Sequence, residues 1–379
     1  MFPVNKFRTE RTPFYYYDMG LLGATLDSIK KAVGDSDFHV HYAVKANANP
    51  VILSAVAKSG FGADCVSGGE ITAALKSGIP SSKIVYAGVG KSDEEIGMAL
   101  DARIGCFNVE SLEELRLIEA IASDKGVIAD VALRVNPNVD AHTHHYITTG
   151  LKENKFGIAL EMLDEAVEFC RQSSSLRLRG LHFHIGSQIT TMDPYVILCD
   201  RINKLIAEYD GRGVHFDIVN VGGGLGVDYD HPDRHPIPDF NAYFNTFRKY
   251  LNLSEGQQLH FELGRAVVAQ CGSLITKVLY VKQGVNKQFA IVDAGMTDLI
   301  RPALYQAHHL IQNITSESDE ECIYDVVGPV CESSDCFGVD ERLPLTSRGD
   351  LLALRSAGAY GEAMASHYNL RPYPHTVID

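Results

Sequence analysis

A lysine closes the apolar run His39-Val-His-Tyr-Ala-Val44, and small or apolar residues flank it in Val44-Lys45-Ala46-Asn47. At the end of a β-strand a lysine can face a pocket that strips it of water. Desolvation disfavours the ammonium form and leaves an amine better able to attack a carbonyl. The competing reading is a solvated lysine just past a strand, and for Lys45 alone that reading wins. Three later stretches reverse it. His184-Ile-Gly-Ser187, Gly222-Gly223-Gly224 and Glu262-Leu-Gly-Arg265 each close an apolar run of their own. Consecutive glycines leave backbone N–H groups uncovered and let the chain approach a phosphate, although alone they are more simply a tight turn. They do not fit G-x-G-x-x-G, and no strand-to-helix dinucleotide unit surrounds them, which argues against a nicotinamide cofactor. With the lysine, they point to a phosphorylated carbonyl cofactor linked covalently to Lys45.

The elements that must position these residues alternate along the chain. Apolar β-rich runs occur at 38–44, 62–66, 84–87, 105–109, 130–135, 179–185, 216–221 and 258–263. Helical patterns separate most of them, at 49–59, 69–77, 92–100, 111–122, 160–172 and 195–209, while the eighth run lacks a clear helix behind it. Eight such strands predict a (β/α)8 barrel, whose active sites sit at the C-terminal ends of the strands. Lys45 then follows strand one, His184 strand six, the glycines strand seven and Glu262–Arg265 strand eight. Beyond Arg265, runs at 267–269, 274–281, 289–292, 322–327 and 350–354 read as strands between turns, and predict a mostly β domain. The expected organisation is an N-terminal segment (1–30) contributing to the β domain, a cofactor-binding barrel (31–265) and a β-rich C-terminal domain (266–379).

Composition bounds the partners. The 379 residues carry 34 basic and 48 acidic side chains, a net charge of −14, which argues against nucleic acid or an anionic membrane surface. No run approaches the ~20 apolar residues of a membrane span, and Met1-Phe-Pro-Val-Asn-Lys6 does not open a signal peptide. Eight cysteines lie scattered, without the density of a disulfide scaffold. A cytoplasmic protein with reduced thiols is expected.

Several motifs together carry a resemblance. Tyr42-Ala-Val-Lys45-Ala-Asn47, His184-Ile-Gly-Ser-Gln188, Gly222-Gly-Gly-Leu-Gly226, the segment Asp293–Tyr305, Gly328-Pro-Val-Cys-Glu-Ser-Ser-Asp335 and Gly358-Ala-Tyr-Gly361 resemble the diaminopimelate decarboxylase family. That family is a branch of the alanine-racemase-like, fold-type III pyridoxal-phosphate decarboxylases. The likeness runs in order from about Thr12 to Tyr360. It implies pyridoxal 5'-phosphate bound covalently by Lys45, with His184 on the ring and Ser187 close by. It further implies a phosphate held by Gly222, Gly223, Gly224, Gly264 and Arg265, and Glu262 facing the ring nitrogen. Arg265, Arg301, Tyr305, Glu332 and Tyr360 would bind the substrate, Tyr360 also touching the cofactor, and Cys331 would return a proton to Cα. The implied reaction converts meso-2,6-diaminopimelate to L-lysine, the last step of lysine biosynthesis, in a homodimer whose active sites are shared across the interface. One departure is Leu263 where the family usually has proline, so a slightly looser turn is expected there.

Each assignment has a plainer competitor. Arg301 also suits a cap on a β domain, and Tyr305 a core position; two arginines and an acid together suit a substrate with carboxylates and a distal ammonium. Cys331 also suits an inert buried thiol, or with Cys336 half of a zinc site; no second cysteine pair or Cys/His cluster accompanies it, so no metal is expected. His142, His144 and His145 read as a solvated loop, and the acidic run Ser316–Glu321 as an exposed hairpin tip. The alternatives for the whole chain are a fold-type III decarboxylase of ornithine, lysine, arginine or carboxynorspermidine, and a non-catalytic regulator with this fold.

Overall fold

The computed structural model describes residues 2–137 and 155–379, so the His142, His144 and His145 loop lies outside the described residues. After β1 (Phe14–Tyr17) and a helix over Met19–Val33, eight parallel strands follow. They are β2 (Phe38–Ala43), β3 (Gly62–Cys65), β4 (Ile84–Tyr86), β5 (Cys106–Val109), β6 (Ala129–Arg134), β7 (Leu176–His182), β8 (Ile218–Asn220) and β9 (Gln258–Leu263). Each pairs with the next, and β9 returns to β2, closing the barrel expected from the alternation. Several of its helices begin where short polar side chains satisfy free N–H groups. Ser67 accepts from Glu70 N, Ser111 from Glu114 N, and Ser92 forms a capping box with Glu95. Two long helices escaped the sequence pattern: Met19–Val33 and the aromatic-rich Phe240–Tyr250, capped by Asp239.

The chain divides into two compact units. One, Leu26–Gly226 with Asp239–Gly264, holds the barrel; the other is Met1–Thr25, Val227–Pro238 and Arg265–Asp379. Segment 227–238 therefore leaves the barrel span to which the sequence boundaries assigned it. Its fastenings explain why. Gln270 Nε2 donates to the carbonyls of Asp228 (2.9 Å) and His235 (3.2 Å), and Arg355 pairs with Asp233 at 2.9 Å.

The second unit is built on a sheet. Strands β10 (Gly272–Gln283), β11 (Gln288–Val292), β12 (Ile311–Asn313), β13 (Glu321–Val327), β14 (Cys336–Pro344) and β15 (Leu351–Leu354) lie in the order β12-β15-β10-β11-β13-β14. β1 adds antiparallel to β10 and pairs in parallel with β16 (His375–Ile378). Phe7, Phe14, Tyr16, Ile275, Leu351, Ala353 and Val377 pack as its core. Two local expectations fail. Val267 and Val268 of the 267–269 run lie in a short helix, Arg265–Val268, because a four-residue turn buries these valines as well as a strand would. Ser316–Glu321 is no hairpin tip: β12 pairs with β15 whereas β13 pairs with β11 and β14, so the acidic run connects strands that are not partners.

Candidate active site

Six polar side chains are buried at the C-terminal ends of barrel strands, each at the last or next-to-last position. They are Asp64 on β3, Asn108 on β5, Arg134 on β6, His182 on β7, Asn220 on β8 and Glu262 on β9. Buried polar groups are costly unless bonded, so a ring of them reports chemistry rather than packing. Glu262 is their hub. Its Oε1 accepts from Asn108 Nδ2 (2.9 Å) and Asn220 Nδ2 (2.8 Å), and His182 Nε2 lies 3.1 Å from Oε2. Burial alone would raise this carboxyl; His182, with its hydrogen bond, and Lys45 outweigh it and hold Glu262 well below the usual carboxylate range. Asp64 behaves oppositely. Burial, reinforced by the Glu262 charge, pushes it up to about 8 although Lys45 draws it down. Its Oδ1 has no hydrogen-bond partner among the described residues.

Lys45 stands in the turn Val44–Ala46 immediately after β2, with Nζ 3.8 Å from Asp64 Oδ2. Its side chain is 41% exposed, so the barrel walls alone do not strip it of water as the sequence pattern suggests. The glycines follow β8, which β9 separates from β2. Gly223 approaches β9 so closely that a Cβ would sit 1.8 Å from Glu262 O, and no side chain is tolerated. Gly222 N–H donates to Asn220 Oδ1 (2.9 Å), and Gly223 N–H points to His184 Nδ1 (3.3 Å). Gly224 follows with φ +102°. His184 is half-buried, and burial followed by the Arg134 and Lys45 charges lowers its imidazole well below its ordinary value. A neutral flat ring, a lysine, a fixed anion and a side-chain-free cradle fit pyridoxal phosphate, and the lone Asp64 oxygen leaves a polar group for it to meet. Ser187 is half-buried beyond His184, and Gly264 is buried at the end of β9. Leu263 is not in a loose turn: it lies within β9, paired with Tyr42 and buried.

The second unit gathers another set. Arg265, buried at the start of its short helix, donates from Nη1 to Tyr229 Oη at 2.6 Å and lies over the Tyr360 ring at 5.0 Å. Gly358 allows that placement, since a Cβ there would meet Val268 O at 1.9 Å. Arg301 opens the turn Arg301–Tyr305 and is 6% exposed, which rules out the solvated cap. Its Nη1 reaches both Tyr229 Oη and His309 Nε2 at 2.9 Å. Tyr305 is half-buried one turn on. Cys331 and Glu332 are exposed, which rules out the buried thiol, and Glu332 accepts from Tyr368 Oη at 2.7 Å. No metal-binding group of His, Cys, Asp and Glu occurs among the described residues, nor any helix long and apolar enough to cross a membrane.

Asp64, Asn108, His182, Asn220, Tyr229 and His309 were not singled out from the sequence. Asp64, Asn108 and Asn220 carried a usable signal: one polar residue near the end of a short, otherwise apolar barrel strand, as in Ile218-Val-Asn220.

Asp64 also makes a stability prediction. In the unfolded chain its carboxyl loses its proton near pH 4, whereas in the fold it keeps it until about 8. Over that window the folded state binds the extra proton, so stability falls as pH rises. Asp64→Asn should therefore raise the melting temperature of the cofactor-free protein at pH 8 and flatten its decline between pH 5 and 8. An unchanged pH profile would show that Asp64 is ionised throughout.

Comparison with known proteins agrees with this geometry. Residues 20–269 match the family described as pyridoxal-dependent decarboxylase, pyridoxal binding domain. The chain is 58% identical to a diaminopimelate decarboxylase of Bacteroides thetaiotaomicron, over 99% of this chain and 97% of that one. It is 46% identical to the enzyme of that name from Helicobacter pylori strain J99, over 97% and 90%. A crystal structure of a Helicobacter pylori diaminopimelate decarboxylase complexed with L-lysine superposes with a TM-score of 0.94 at 43% identity, covering 99% of this chain and 93% of that one. The chain belongs to the diaminopimelate decarboxylase family of pyridoxal-dependent decarboxylases.

Proposed function

We propose that the protein decarboxylates meso-2,6-diaminopimelate to L-lysine and CO2 with pyridoxal phosphate. The observation that carries the substrate is Arg301, a buried guanidinium anchored by Tyr229 and His309. Ornithine, lysine or arginine retains no carboxylate beyond the one that leaves, and gives such a cation no task. Diaminopimelate has a second one, and planar guanidinium pairs bidentately with carboxylate. The L-lysine held by the Helicobacter relative is what remains when diaminopimelate loses one carboxyl.

The cofactor, when bound, accepts the electrons released as CO2 leaves Cα. Lys45 would hold its aldehyde carbon, His184 and Ser187 its ring, and Gly222, Gly223, Gly224, Gly264 and Arg265 its phosphate. Glu262, kept anionic and oriented by Asn108, Asn220 and His182, would hold the proton on the ring nitrogen. Arg265, Arg301, Tyr305, Glu332 and Tyr360 would bind and orient the substrate. The Cys331 thiol would deliver its proton to Cα, leaving a thiolate that water reprotonates.

We further propose a cytoplasmic homodimer with shared sites. Eight cysteines without a disulfide support that compartment. Cys331 and Glu332 are exposed on the single chain, as suits residues that complete a second copy's site. Lys45→Ala and Cys331→Ala, each nearly inactive alone, should partly rescue one another when mixed and allowed to exchange subunits. Heterodimers that restore no activity would mean that each chain completes its own pocket. The substrate reading is tested by incubating the protein and pyridoxal phosphate separately with meso-diaminopimelate, ornithine, lysine and arginine while following CO2. Release from diaminopimelate at a far higher rate than from the other three is expected; preference for ornithine overturns the substrate, and no release from any overturns catalysis.

A further inference from the structure

Tyr229 has no role in the reaction as described so far, yet its phenol oxygen accepts hydrogen bonds from two guanidinium groups, Arg265 at 2.6 Å and Arg301 at 2.9 Å. Two like charges brought to one oxygen repel each other, and the oxygen between them offsets that cost. Burial alone would raise the phenol, but the Arg265 and Arg301 charges and hydrogen bonds outweigh it and draw it below its ordinary value. Arg301 commits Nη1 to both Tyr229 and His309. His309 must accept at Nε2, because a guanidinium only donates, and so donates from Nδ1 to Arg355 O at 2.8 Å. Burial, then the Arg301 charge, pushes this imidazole down to about 3, which keeps it a neutral acceptor. With Nη1 engaged, the Nε–Nη2 edge of Arg301 is the one available to a planar carboxylate. Tyr229 is itself held in place, because the segment that carries it is fastened by Gln270 and by the Asp233–Arg355 pair.

We propose that Tyr229 is a positioning residue for substrate selection: by bracing Arg301 against Arg265, it turns the Nε–Nη2 edge of Arg301 toward the distal carboxylate of a dicarboxylic amino acid. The proposal rests on the reading of Arg301 given above. Its signature is loss of affinity for molecules that keep the distal carboxylate and no loss for those that lack it.

Tyr229→Phe keeps the ring and removes the acceptor. In the holoenzyme it should raise KM for meso-diaminopimelate roughly tenfold or more, with kcat changed by no more than about threefold. Competitive inhibition by L-lysine, which retains one carboxylate, should weaken by a similar factor, whereas inhibition by cadaverine, which has none, should not move. Added to Arg301→Ala, the same change should cost less than about twofold, because the group it positions is gone. Tyr229→Gln, which restores an acceptor oxygen, should recover part of the lysine affinity and decides the matter if the phenylalanine variant melts early. Equal losses in both Arg301 backgrounds, a fall in kcat with KM unmoved, or equal weakening of lysine and cadaverine would each overturn the proposal. A wild-type enzyme inert toward diaminopimelate would overturn the substrate reading instead, while the lysine and cadaverine measurements still judge Tyr229.

Discussion

Lys45→Ala is expected to remove the covalent hold on pyridoxal phosphate and to lower turnover by about 10³-fold or more, with little effect on the fold. The fold should persist because Lys45 is a 41%-exposed side chain on a three-residue turn. Glu262 keeps Asn108, Asn220 and His182 without it. The glycines and Glu262 also remain to bind the cofactor non-covalently, so the variant should lose the absorbance band of lysine-bound pyridoxal phosphate while retaining some of the cofactor. Activity near that of the wild type would remove lysine from the mechanism altogether.

The second large effect concerns selectivity. Arg301→Ala should cost about 2–5 kcal/mol toward meso-diaminopimelate, the range for losing one partner of a desolvated charge-assisted pair, or roughly 30-fold to several thousandfold in kcat/KM. Turnover of lysine, which has no second carboxylate to lose, should fall far less. The ratio of the two kcat/KM values is the measurement. Equal losses would make the arginine structural, a brace for Tyr229 and His309 rather than a reader of substrate.

The barrel was legible in the sequence because parallel strands buried on both faces read as continuous apolar runs, and Ser or Asp caps mark where several helices start. Phe240–Tyr250 was missed because its aromatic residues suit a strand as well as a helix, so periodicity had to decide over only eleven residues. The short strands β12 and β16 gave too few residues for alternation to show. At the candidate site, Lys45, Glu262 and the glycines were legible because they occupy predictable strand ends. Tyr229 and His309 were not. Their meaning comes from tertiary contacts to Arg265 and Arg301, 36 and 8 residues away along the chain, which no local pattern encodes. The single-residue context of Asp64 likewise gave no hint that burial and the Glu262 charge would keep it protonated to about pH 8.

Lys45 as the residue that carries the cofactor can be tested directly. Reducing the holoenzyme with borohydride converts a lysine-bound pyridoxal phosphate into a stable pyridoxyl amine, which peptide mass mapping can locate. The label should appear on the peptide spanning Val44-Lys45-Ala46-Asn47, at one per chain, and should be absent when meso-diaminopimelate has displaced the lysine before reduction. Label on a different lysine, or none on a protein that shows the cofactor's absorbance, would contradict it.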